Sequence, residues 1–211
     1  MDKILTSYKS NFTNKIFLTE IFFGLLMLVG SMFINFYAGI YATERASNSV
    51  TDVILSNLRT FDVDGLFIYG GFMIFIIITL FCLYEPKKIP FILKSISFFV
   101  LTRSVFVSLT HIAPFPSQIA IASTNFLNHF IFSGDLFFSG HTGLPFLMAL
   151  IYWKQEYVRY FFLAMSVFFG AIVLMGHLHY TIDVLSAFYI TYSIYNLNKY
   201  FFKKDYDLFH S

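Results

Sequence analysis

From Ile16 to Ile40 the chain is apolar, interrupted only by Glu20 near the start of the run and Asn35 near its end. A helix rises 1.5 Å per residue, so about 20 apolar residues match a hydrocarbon core about 30 Å thick. In lipid a chain must satisfy its backbone polar groups internally, and a single apolar run does so only as a helix. A signal peptide would carry a shorter apolar core and a clear small-residue cleavage site; Ala38 to Ala42 is the nearest candidate for one. The length of the run favours a mature membrane span.

Five further segments follow the same rule: Leu66 to Tyr84, Ile89 to Leu109, Leu144 to Trp153 (with Leu136 to Phe138 before it), Tyr157 to Met175, and Thr181 to about Leu197. The second and third are separated by the turn Tyr84-Glu85-Pro86-Lys87-Lys88, the fourth and fifth by Lys154, Gln155, Glu156 and Arg159. With 57% hydrophobic and 12% charged residues, a soluble globular domain is excluded. The predicted fold is all-α, a bundle of six transmembrane helices forming one membrane domain over residues 1–211. The single Cys82 permits no intramolecular disulfide, and a net charge of +2 is too small to suggest nucleic acid as a partner.

The distribution of charge orients the chain. Six crossings put both termini and the turns at 85–88 and 154–159 on one side, with all the Lys and Arg residues except Arg45, Arg59 and Arg103. The positive-inside rule makes that side cytoplasmic. Asn11-Phe12-Thr13 fits a glycosylation sequon that this orientation would leave unused. On the other side, Tyr41 to Gly65 is polar, its segment Val50 to Leu58 mildly amphipathic, and Asp52, Asp62 and Asp64 are expected on a solvated face. Pro114 and Pro116 stop the third helix, and the broken, polar stretch after Thr110 is expected to be re-entrant or superficial, with His111 and His129 at its surface. Lys94 is expected to snorkel to its own side of the bilayer.

Three polar residues collect at one membrane edge. His141 begins the fourth span, and His179 and Asp183 lie just past the end of the fifth, so an apolar hairpin returns them to the same face. Such groups cost roughly 3 kcal/mol each at the bilayer centre, and a cluster of them at a span boundary points to function. His179 and Asp183 are four apart, so on a helix the carboxylate can accept the Nδ1 proton and leave Nε2 as an outward lone pair. His141 is placed to protonate a leaving oxygen, and the three together suit phosphoryl transfer through a phosphohistidine. Ser139-Gly140-His141-Thr142 opens a helix whose N–H groups can receive a phosphate. Arg103 can neutralise that phosphate, or else pair with Asp135. An alternative reading has His177, His179, His141 and Asp183 coordinating zinc.

Ser133 to Thr142 (SGDLFFSGHT) and His179 to Val184 (HYTIDV) resemble the third and fourth motifs of the sphingomyelin synthase-like family, a branch of the type 2 phosphatidic acid phosphatase superfamily with six spans. The resemblance covers roughly residues 45–195. It implies that His179 attacks phosphorus, that Asp183 activates it, and that His141 protonates the leaving group. Ser49-Val50-Thr51-Asp52 sits where that family has a Pro-rich segment ending in Asp, and Arg103, Thr110 and Pro114 resemble its arginine-threonine-proline motif. Phe106 stands where a threonine is expected, and Ser133 where a cysteine is. Ile172 and Val173 occupy the places of the Ser-Arg pair that precedes the nucleophile in the phosphatase branches.

These readings predict a membrane-embedded lipid phosphotransferase of sphingolipid metabolism, with a phospholipid donor and a lipid alcohol acceptor, acting at the extracytoplasmic leaflet with neither cofactor nor metal. Catalysis is expected from His141, His179 and Asp183, and substrate binding from Arg103, Ser139, Gly140 and Asp135. The alternatives are a lipid phosphatase, in which water resolves the intermediate, and a non-catalytic lipid-binding or transport protein. A transporter would show broken helices at mid-membrane, and here the polar cluster is at the boundary.

Overall fold

Each predicted apolar run forms a helix in the structure, a computed structural model that describes residues 8, 12–119 and 134–210. Lys3, Lys9, Asn11, His129 and Ser133 lie outside the described residues. The helices are α1 (Lys15–Arg45), α2 (Asp64–Tyr84), α3 (Ile89–Leu109), α4 (Gly140–Ile151), α5 (Glu156–Met175), α6 (Thr181–Phe201) and α7 (Lys203–His210). A single 3₁₀ turn, Pro86–Lys88, joins α2 to α3. No strand occurs among the described residues.

Among the described residues four stretches are long and apolar enough to cross a membrane: α1, α2, α5, and α3 together with its 3₁₀ turn. In place of the fourth predicted span stands α4, a 12-residue apolar helix covering about 18 Å, shorter than the hydrocarbon core, with Leu136 to Phe138 in the loop before it. The sixth, α6, has the length at 21 residues, but its Thr, Ser, Asn and Tyr residues make it more polar than the others. Starts are set locally. Asn14 caps α1 by accepting from the N–H groups of Ile16 and Phe17, and Ser139 caps α4 by accepting from that of Thr142.

The most extensive pairings are α1 against α3 and α4 against α5, with α6 laid on α4 and α3. Their shared core is built from Phe99, Phe138, Leu147, Met148, Phe162 and Phe169. Large apolar side chains also cover the outside, among them Phe22, Phe33, Ile76 and Val167, as expected where the surroundings are lipid. Lipid is as apolar as these side chains, so association rests on close packing more than on removal from water. Gly134 shows how close it is: a Cβ there would come within 2.6 Å of the Ala42 backbone, and its N–H donates to Thr43 Oγ1 at 3.1 Å.

Two expectations are corrected. Lys94 does not snorkel. It is buried, and its ammonium donates to Glu20 of α1 and to Asp205 of α7, the latter at 2.6 Å, because acids from both chain ends reach it inside the bundle. Asp52 is not on a solvated face either: it is buried at the start of a series of turns over residues 53–58, and Leu55 of that segment is also buried. Asp62 is exposed as expected.

Candidate functional site

The loop 134–139 and the turn 176–180 run side by side at one end of the bundle. Two hydrogen bonds hold the loop in place: His179 Nδ1 in the turn meets Leu136 O at 2.7 Å, and Ser139 N–H donates to Asp183 O in the first turn of α6 at 3.1 Å. A carbonyl only accepts, so the first bond requires the proton on Nδ1. In the neutral ring the lone pair is therefore on Nε2. The side chain is buried, which fixes the ring as well as its tautomer.

Asp183 has a different first partner from the one expected. As N3 of α6 its Oδ2 accepts the Tyr180 N–H at 2.8 Å, closing a capping box, and stands 3.5 Å from His179 Nδ1. It is fully buried, and its Oδ1 has no hydrogen-bond partner among the described residues. The neutral ring rests on the Leu136 carbonyl, with a carboxylate one short movement away. That is a suitable arrangement for a ring that becomes cationic on reaction, since the positive charge strengthens the pull of the carboxylate over that of the carbonyl.

His141, the second residue of α4, packs its ring on Phe67 of α2, with centroids 4.2 Å apart. Phe169 of α5 lies on it at 6.0 Å. Gly71 makes the slot: a Cβ at 71 would come within 3.0 Å of His141 Nε2. From there His141 is in electrostatic reach of His179, Arg103 and Asp135.

Arg103 of α3 is buried and committed to the loop that carries the Leu136 carbonyl. Its guanidinium pairs with Asp135 Oδ1 at 2.6 Å and donates to Asp135 O at 3.3 Å and, through Nε, to Phe138 O at 2.9 Å. Of the two roles open to Arg103 from sequence, the structure displays the pairing with Asp135. Gly140 lets the guanidinium pass, since a Cβ there would lie 3.3 Å from Arg103 Nε. Ser139 is buried, and its Oγ accepts from both the N–H and the hydroxyl of Thr142, at 3.4 and 3.2 Å.

The zinc arrangement is not assembled. His177, in the left-handed region at φ 54°, turns its Nδ1 to Ser117 Oγ at 2.7 Å, with Thr60 Oγ1 at 3.4 Å. Among the described residues no three His, Cys, Asp or Glu side chains form a group able to hold a metal ion. His111, expected at the surface, is half-buried with its ring against Tyr41.

The structure adds two contributors to the histidine turn. Asp52 accepts the Thr181 N–H at 2.7 Å and the Thr181 hydroxyl at 2.8 Å. Tyr180 Oη donates to Ala113 O at 2.8 Å and accepts the Val50 N–H at 3.2 Å. An Asp opening a run of turn residues is a visible signal for an Asx-type turn, but nothing local says that its second oxygen serves a helix far along the chain. A main-chain carbonyl such as that of Leu136 has no sequence signal at all.

Residues 133–200 match the family model described as PAP2 superfamily C-terminal. That stretch contains His141, His179 and Asp183. The match supports membership of the type 2 phosphatidic acid phosphatase superfamily, whose members are typically lipid phosphatases or phosphotransferases acting on lipid phosphates in membranes. Neither a curated protein nor a solved structure matches the chain.

Proposed function

We propose that the protein is a membrane lipid phosphotransferase in which His179 Nε2 attacks a lipid phosphate and forms a phosphohistidine. In this reading His141 protonates the departing lipid oxygen, Asp183 stabilises the cationic ring, and a lipid alcohol, giving its proton back to His141, takes the phospho-group as the P–Nε2 bond breaks. The observation that carries it is the bond between His179 Nδ1 and Leu136 O at 2.7 Å, which leaves the Nε2 lone pair free for attack and ties the ring to the loop that the Arg103–Asp135 ion pair holds. At the start of α4 the N–H groups of Thr142 and Gly143 are used by Ser139, leaving those of Gly140 and His141 for the phosphate oxygens. Arg103 and Asp135 keep that loop in place, and Arg103 adds its charge.

Transfer rather than hydrolysis is favoured by Ile172 and Val173, which supply no polar group where the phosphatase branches carry Ser-Arg, and by the aromatic walls that Phe67 and Phe169 set against the half-buried His141. A site that excludes water lets an alcohol compete for the phosphohistidine. Purified protein given a panel of phospholipids, with and without ceramide or diacylglycerol, is expected to form a new phospho-lipid that rises with acceptor at the expense of the water-derived product, as read by lipid mass spectrometry. Dominance of the water-derived product at every acceptor concentration replaces transfer with hydrolysis.

The same reading puts six crossings in the membrane, with both termini in the cytoplasm and the histidines at the extracytoplasmic face. The exposed positions Ser47 and Lys204 report on it. In a background lacking Cys82, a cysteine at 47 is expected to react with an impermeant maleimide from outside and one at 204 only after permeabilisation; the reverse pattern turns the site to the cytoplasm.

A further inference from the structure

We infer that Asp52 is a positioning residue for the nucleophile, holding His179 in register through Thr181 and the first turn of α6; the inference rests on the phosphohistidine reading. At Asp52 four donors converge on the carboxylate, three on Oδ1 and one on Oδ2. Oδ1 accepts from Ile54 N–H at 2.9 Å, Leu55 N–H at 3.1 Å and Thr181 Oγ1 at 2.8 Å, and Oδ2 from Thr181 N–H at 2.7 Å. The first two bonds fix the carboxylate on its own loop. The other two pass that fixity to a residue two positions beyond His179, on an element 129 residues away in sequence.

The group is ionised in its place. Burial pushes the Asp52 carboxyl up, but the hydrogen bonds from Leu55, Thr181 and Ile54 outweigh it and hold the group below the ordinary aspartate range. A full negative charge at the start of α6 is also favourable against the helix dipole, where it joins Asp183. Tyr180 supplies a second strut to the same loop by accepting the Val50 N–H at 3.2 Å. The two residues that follow His179 are thus both tied to residues 50–55, and the Leu136 carbonyl then leaves its ring one resting orientation. In-line attack on phosphorus needs such constraint: a displacement of about 1 Å from the reactive geometry can cost ~10²-fold in rate.

Asp52→Asn separates position from presence. Whichever way the amide is turned, its NH₂ faces donors where an oxygen accepted them, so the first turn of α6 loses its register while size is kept. The experiment compares wild type, Asp52→Asn, Thr181→Ala and the exposed-loop control Asp62→Asn in detergent. It measures kcat and KM for a phospholipid donor and the imidazole ¹⁵N resonances of His179, assigned by their loss in His179→Asn. Asp52→Asn is expected to lower kcat roughly 10- to 100-fold with KM within about threefold, and to shift or broaden the His179 signals away from the Nδ1–H pattern. Thr181→Ala, which removes only the hydroxyl bond, is expected to lower kcat about 3- to 10-fold with a smaller shift in the same direction, and serves if Asp52→Asn does not fold. Asp62→Asn stays at wild type. Unchanged His179 resonances, or a wild-type kcat, in folded Asp52→Asn overturn the inference, as they do in Thr181→Ala should that be the variant available. Activity that survives His179→Asn instead overturns the phosphohistidine reading, and the His179 resonances still report whether Asp52 fixes the ring.

Discussion

His179→Asn is expected to remove turnover by roughly 10⁴-fold or more, together with all covalent phosphate on the protein, while leaving the fold intact. The asparagine amide can still donate to the Leu136 carbonyl, which His179 Nδ1 meets at 2.7 Å, so the turn between α5 and α6 keeps its tie to the loop before α4. What disappears is the lone pair on Nε2. His141→Asn is expected to behave differently. Its loss removes proton delivery to the leaving oxygen, a function typically worth ~10² to 10⁴ in rate, but not the atom that attacks. Rapid quench with a lipid radiolabelled at phosphorus distinguishes the two: slow but real labelling in His141→Asn, none in His179→Asn. A labelled His179→Asn protein puts the nucleophile elsewhere.

Much of this arrangement is written in the local sequence. Ile89 and Leu109 bound the third helix in both readings because Pro86 with its lysines and Thr110 with Pro114 are strong local stops. The pair His179 and Asp183 is legible in part: the spacing of four brings them together, although His179 lies in the turn before α6 and only Asp183 is on the helix. Failures came wherever a long-range contact set the outcome. Lys94 reads as a snorkelling lysine until the acids at positions 20 and 205, distant in sequence, are seen beside it. Asp52 reads as one loop acid among three, and only the packing of its loop on α6 separates it from Asp62. The partner of His179 is the instructive case. Spacing correctly brings Asp183 near, at 3.5 Å, but a main-chain carbonyl, which carries no sequence signal, takes the closer place at 2.7 Å.

The second large effect is expected at the opposite end of the bundle, on stability instead of chemistry. Lys94 holds the acids of α1 and α7 apart: its ammonium meets Glu20 and Asp205, and the Lys94 and Asp205 side chains are only 7% and 6% exposed. Lys94→Met leaves two carboxylates facing one another with no cation between them. Removing one member of a buried ion network costs about 3 to 5 kcal/mol, since the charges left behind have lost the partner that compensated their desolvation. Thermal unfolding in detergent is expected to show a loss of that order, and the α7 segment to become cleavable by protease before the rest of the chain unfolds. Asp205→Asn should cost much less, because Lys94 retains Glu20 and the amide can still accept its proton. Replacing all three together, as Glu20→Leu, Lys94→Met and Asp205→Leu, is expected to recover most of the loss, since an apolar set of similar volume needs no desolvation of charge. The single and triple replacements thus differ in sign of argument as well as size: a Lys94→Met protein that unfolds with wild type shows that the network contributes nothing, and a triple variant less stable than Lys94→Met shows that the acids have partners besides the lysine.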